Sequence, residues 1–150
     1  MTDILFYHLE RQPLEKVIPA LLEKTLERGW RAVIRAKTAE KVQLLDEALW
    51  TYAEESFLPH AVVSEPFAEV EPIVITASME EPNRPDILFL VEGAEFPEAV
   101  TSYQRVVLLF DGNDDAALAD ARKAWKEVRA RGLDSTYWQQ NENGRWEKKA

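Results

Sequence analysis

The sequence predicts an α/β fold, a three-layer α/β/α sandwich with a mostly parallel central sheet, built as a single domain over residues 1–150. Three observations carry that expectation. Runs such as Ile73-Val74-Ile75, Ile87-Leu88-Phe89-Leu90 and Val106-Val107-Leu108-Leu109-Phe110 are nearly continuously apolar, as strands covered on both faces are. Segments with helical apolar spacing alternate with them. The chain has 150 residues, enough for one domain to bury a core without disulfides or metals.

Ile4-Leu5-Phe6-Tyr7-His8-Leu9 is the first predicted strand. Pro13 opens a helix whose apolar side is Leu14, Ile18, Leu21, Leu22 and Leu26, and Gly29 ends it. Pro19 lies inside that pattern, so the helix either starts near Lys16 or kinks there. Trp30–Ala36 is the second strand, and Thr38 caps a second helix that runs to Tyr52, with Val42, Leu45, Leu49 and Tyr52 facing inward. Trp50 projects roughly 130° away from that face by helical-wheel arithmetic. Ser56-Phe57-Leu58-Pro59-His60 and a polar loop follow. Strands are expected at Pro72–Thr76, Asp86–Val91 and Tyr103–Phe110, with a turn at Glu80–Pro85 and a short helix over Phe96–Ser102. The last helix spans Asn113–Gly132: Asn113 or Asp114 caps it, Asp114 and Asp115 suit its positive end, and Gly132 follows its last turn. Residues 139–150 form a less regular tail.

The totals exclude several function classes. A net charge of −9 opposes a main role in gripping nucleic acid, which needs clustered cations. No cysteine is present, which removes disulfides, thiol catalysis and zinc-thiolate sites. No run reaches the roughly 18 apolar residues of a membrane span. The amino terminus does not read as a signal peptide, so a cytoplasmic location is expected. Neither G-x-G-x-x-G nor G-x-x-x-x-G-K-[ST] occurs, so no phosphate cradle and no nucleotide cofactor are expected. The two histidines, His8 and His60, have no second histidine at ligand spacing, so no metal is expected. His8 reads as a packed or surface strand residue, and His60 as a loop residue. There is no G-x-S-x-G elbow and no acid, base and orienter that assemble, so the chain reads as a binding protein rather than an enzyme.

Two features stand out. On the last helix, Ala117, Leu118, Ala121, Ala124 and Val128 gather on one side, and Arg122, Lys126 and Arg129 on another, with Trp125 on the border. The plain reading is a solvated basic face. The functional reading is a socket for a peptide carboxylate and an apolar side chain, since arginine binds carboxylates bidentately and tryptophan supplies a rigid wall. The second feature is Trp50 with Phe57, Leu58, Pro59 and His60: an edge cluster on the plain reading, a patch for a protein partner on the functional one.

Several blocks occur together in one order: Phe6-Tyr7-His8-Leu9, Leu45-Asp46-Glu47-Ala48-Leu49-Trp50, Ser56-Phe57-Leu58-Pro59-His60, Asp86-Ile87-Leu88, Ala121-Arg122 with Trp125-Lys126, and Tyr137-Trp138. In these the chain resembles the chi subunit family of bacterial DNA polymerase III over nearly its whole length. The resemblance implies a non-catalytic subunit associated with the clamp loader. It implies two partners: the acidic carboxy-terminal tail of single-stranded DNA-binding protein, and the psi subunit or another clamp-loader component. By motif position Arg122 takes the tail's terminal carboxylate, Trp125 walls the pocket, Lys126 and Arg129 attract the tail's aspartates, and Trp138 closes one side. Trp50, Phe57, Leu58, Pro59 and His60 resemble the psi-facing surface. Leu118 stands where some members carry lysine, and the Trp146–Lys149 tail has no assigned role. The resemblance moves the expected function to the last helix, away from the strand ends where an α/β domain is first searched. Two rival readings remain, a nucleotide-binding hydrolase of α/β type and a direct single-stranded DNA binder. Direct nucleic-acid contact is expected to be weak or absent.

Overall fold

The computed structural model describes residues 2–51, 58–91 and 93–150. Eight strands form one sheet in the order β3-β4-β2-β5-β6-β1-β7-β8. These are β1 (Asp3–Leu9), β2 (Ala32–Arg35), β3 (His60–Val62), β4 (Ile73–Thr76), β5 (Ile87–Leu90), β6 (Arg105–Asp111), β7 (Asp134–Gln140) and β8 (Trp146–Lys148). Every pairing is parallel except β7 with β8. Helices α1 (Leu14–Glu27) and α2 (Ala39–Thr51) cover one face, and α3 (Asp115–Ala130) covers the other.

The sheet explains the apolar runs. Ile34, Ile75, Phe89 and Val107 point towards α1 and α2, while Val33, Val74, Leu88 and Val106 point towards α3. Successive side chains alternate faces, and in the centre of the sheet both faces are dry, so β2, β4 and β5 are buried along their whole length.

Helix α1 starts at Leu14 after Pro13 and runs through Pro19 without a break. Pro19 is buried in the sixth helical position, where its ring leaves one carbonyl of the preceding turn without an intrahelical donor. Buried Val17, Ile18 and Leu22 outweigh that loss. The Thr38 hydroxyl receives the Lys41 N–H at 3.3 Å, so α2 starts where expected. Tyr52 lies outside the described residues.

Four expectations are corrected. The loop at His60 is a three-residue edge strand paired with β4, too short to show a period in sequence. Residues 96–102 form no helix. Arg131 of the α3 end donates to the Pro97 and Glu98 carbonyls and lies 5.7 Å over the Phe96 ring, which holds that segment extended across the sheet face. The tail is more regular than expected, since β7 reaches Gln140 and β8 pairs back on it. The third difference follows from a tight reversal at Asn141, which receives the Gly144 and Asn143 amides on its backbone and side-chain oxygens. The fourth concerns Leu58 and His60 and is taken up below.

Strands β1 and β6 are neighbours, yet β1 leads to α1 on one face and β6 leads to α3 on the other. Their carboxyl ends form the switch point of the sheet, the place where open α/β sheets offer a crevice.

Candidate functional site on helix α3

Helix α3 is held from its first turn. The Asp114 carboxylate accepts the Ala116 and Ala117 amides at 2.9 and 3.2 Å, satisfying two of the donors that a helix start leaves open. Small Ala121 and Ala124 with Val128 form the buried side and let the helix lie close to the sheet. Arg122, Lys126 and Arg129 are exposed, as the spacing predicts.

Trp125 is half-buried at the border. Its ring meets the Phe6 ring edge-on at 5.2 Å and the Tyr137 ring edge-on at 5.7 Å, and the Arg129 guanidinium lies 5.6 Å over it. Such pairs add to burial and fix the indole plane.

Tyr137, which the sequence reading passed over, is the residue that ties this cluster to the switch point. It pairs with Phe6 in the sheet register and stacks on it at 6.4 Å. Its hydroxyl lies 2.7 Å from Nδ1 of His8. Burial raises its phenolic pKa, the positive charge of Arg122 lowers it, and Glu10 raises it.

His8 is buried, with 8% exposure. Its Nε2 lies 2.8 Å from a Glu10 carboxylate oxygen, but off the line a hydrogen bond needs. Glu10 also receives the Gln139 amide at 3.1 Å, and the Glu10 carbonyl receives the Asn113 side chain at 3.0 Å. The β6–α3 turn closes over the imidazole so tightly that a Cβ on Gly112 would fall 1.9 Å from Nε2. Only glycine fits there.

Trp138 is not part of this cluster. It pairs with Tyr7 in the register, stacks on it at 6.5 Å, and faces the α1 side of the sheet. Adjacent strand residues point to opposite faces, so when Tyr137 faces α3 its neighbour cannot. Trp138 instead helps line a cavity of about 260 Å³ with Trp30, Arg28 and Arg105.

The comparisons with known proteins follow this geometry. The family described as DNA polymerase III chi subunit, HolC, matches residues 1–136. The chain belongs to that family. It is 25% identical over 117 residues to a probable DNA polymerase III subunit chi of Rickettsia prowazekii (strain Madrid E), covering 74% of this chain and 71% of that protein. It is 27% identical over 128 residues to the DNA polymerase III subunit chi of Escherichia coli (strain K12), covering 83% and 86% respectively. The chi-family match places the chain among the subunits of a replicative polymerase. Tyr137 lies just beyond the matched segment.

The second region of this chi-family chain differs from its sequence reading. Leu58 is 2% exposed and belongs to the core under α1 and α2. His60 is 5% exposed, with Nδ1 at 2.6 Å from the Leu58 carbonyl and Nε2 at 3.1 Å from an Asp46 carboxylate oxygen. Neither presents a side chain to a partner: His60 opens an edge strand packed against α2, and Leu58, two residues before it, is buried in the core with Leu45 and Leu49. Pro59 is half-buried, and Phe57 lies outside the described residues. Trp50 is 51% exposed, its ring 4.4 Å from the His60 ring. His60 is thus the floor on which Trp50 rests.

Among the described residues no three His, Asp or Glu side chains converge as metal ligands, and no helix is long and apolar enough to cross a membrane.

Proposed function

We propose that this chi-family protein is a non-catalytic adaptor that captures the acidic carboxy-terminal tail of single-stranded DNA-binding protein on α3 and so tethers the polymerase to it. The observation that carries this reading is the pairing of an exposed Arg122 with an indole held half-buried by Phe6 and Tyr137. Arginine matches a terminal carboxylate with two parallel hydrogen bonds. The Trp125 rim gives an apolar end group a rigid wall. Lys126 and Arg129 add positive charge on the same side for the aspartates that precede it.

Titration calorimetry with an acidic peptide ending in a free-carboxylate phenylalanine tests the reading. Arg122→Ala should weaken binding by about 1.5–3 kcal/mol, the range for a hydrogen bond to a charged group. Unchanged affinity in a folded Arg122→Ala protein overturns it.

A second surface is supported by Trp50, a large aromatic half exposed beside an otherwise buried histidine. It suits a folded apolar partner, the psi subunit or another clamp-loader component. The net charge of −9 opposes a long strand of DNA as the ligand, so capture of the tail is the function assigned to α3.

A further inference from the structure

On the α1 side, the face of the sheet is wider than its helices. Helix α2 packs over β3 and β4 and α1 over β6, while β1, β7 and β8 follow β6 in the sheet order. The margin beyond α1 is aromatic. Tyr7, Trp138 and Trp146 are half-buried there, with Trp138 stacked on Tyr7 at 6.5 Å and Trp146 edge-on to Tyr7 at 4.9 Å. The Trp138 N–H donates to the Thr136 hydroxyl at 3.1 Å, which fixes that indole. Trp30, also half-buried, lines the same cavity as Trp138.

Cations gather at this margin. The guanidiniums of Arg28 and Arg105 lie 5.1 and 5.6 Å over the Trp30 ring, and Lys24 joins them in the cavity wall. Lys148 pairs with Trp138 in the β7–β8 register, and residues so paired share a face. Lys24, Arg28 and Lys148 pair with no acid among the described residues. Arg105 has one acceptor, an Asp3 carboxylate oxygen at 3.5 Å, and its Nε is buried without a hydrogen-bond partner. A guanidinium over an aromatic ring still offers the N–H groups of its edge to an anion.

The arrangement narrows the ligand. Cations spread from α1 to β8 call for more than one negative charge, and indoles spread with them call for more than one flat ring. A peptide terminus has one carboxylate and one end group, which a single corner satisfies. A single strand of nucleic acid brings a base and a phosphate in every unit, and stacking on an aromatic ring accepts any base. We propose that this face binds a short single-stranded nucleic-acid segment, with bases against Trp30, Trp138 and Trp146 and phosphates on Arg28, Arg105 and Lys148. The cavity of about 260 Å³ admits a base, since about 150 Å³ holds a benzene ring. The net charge of −9 and the acids Asp3 and Asp134, paired at the amino ends of β1 and β7, keep the segment to a few nucleotides. The site lies across the sheet from Trp125, so it is separate from α3.

The test is fluorescence anisotropy of an end-labelled oligothymidylate of about four nucleotides, the short end of single-strand sites, titrated with the full chain at low salt. Binding should weaken with salt, with a log–log slope of about 0.7 per phosphate neutralised. An abasic strand of the same length and label should bind at least about fivefold more weakly, the lower end of the loss for one stacked base, and Trp138→Ala should show a similar loss. Arg28→Ala, at an exposed helix end, keeps the test open if Trp138→Ala folds poorly. It should lower the salt slope by about 0.7 and leave binding of the acidic phenylalanine-ended peptide unchanged. That peptide should not displace the oligonucleotide. No binding at low salt, equal binding of the abasic strand, full affinity in a folded Trp138→Ala protein, an unchanged slope in Arg28→Ala, or displacement by the peptide overturns the proposal. Loss of peptide binding in Arg28→Ala overturns it as well, because the cations of this face would then serve a peptide.

Discussion

Trp125 and Trp50 are both helical tryptophans outside the main apolar stripe of their helices, and the fold treats them differently. Trp125 is wedged between Phe6 and Tyr137 with a guanidinium over its face. Trp50 lies half exposed with its ring against His60, and its near neighbours on α2 are the acids Asp46 and Glu47. The first is one wall of a corner with cations on its open side. The second is a platform without them. On the function proposed above, the corner would receive a chain end and the platform the surface of another fold. The difference arises below the tryptophans: α3 sits on small residues and lets Trp125 reach the sheet, whereas α2 buries Val42, Leu45 and Leu49 and leaves Trp50 at the rim.

Stability gives the largest contrast. Trp125→Ala removes two edge-on aromatic contacts and opens a gap beside Phe6. It should destabilise the protein by about 3 kcal/mol, the low end for tryptophan truncation because the ring is only half-buried. Trp50→Ala should cost less than about 1 kcal/mol, as exposed positions do. Urea unfolding of the two variants decides it, and equal losses would mean that the platform is a packing residue rather than a presented one.

Much of this was legible in sequence because the relevant signals are periodic. Five of the strands, all three long helices and the position of Arg122, Lys126 and Arg129 follow from apolar runs and helical spacing. What escaped was decided by parity or by contacts distant in the chain. Tyr137 and Trp138 are equally aromatic, and only the register against β1 decides which one faces α3. His8 reads as an ordinary strand residue until the fold brings Tyr137 and Glu10 to its two nitrogens. Leu58 and His60 read as a surface patch because a three-residue edge strand leaves no pattern. The strand ends, set aside in sequence, return through His8, which Tyr137 links to Trp125 on α3.

The helices that carry the two tryptophans also differ in how they begin, and the next effect is smaller. Asp114 accepts two amides at the start of α3, while the Thr38 hydroxyl of α2 receives one at 3.3 Å. Asp114→Ala should destabilise by about 1 kcal/mol, and Thr38→Ala by less. Helix α3 buries only two alanines and a valine within its own length, so its start matters more to it. Thermal melts that rank the two variants the other way would place the anchoring of α3 in its aromatic border instead of its cap.

The smallest effect separates anchor from field. Lys126 is exposed, one residue beyond Trp125, and on the proposed function it would add only long-range attraction to an acidic peptide. Lys126→Ala should weaken peptide binding by about 0.3–1 kcal/mol at low salt, the scale of exposed charge pairs. That increment should fade towards zero as the Debye length falls to about 3 Å near 1 M salt. If Arg122 pairs directly with the terminal carboxylate as proposed, Arg122→Ala should keep much of its effect under the same conditions. If Lys126→Ala and Arg122→Ala lost affinity in parallel across the salt series, the corner would be a diffuse basic face, and the distinction between the two tryptophans would reduce to charge alone.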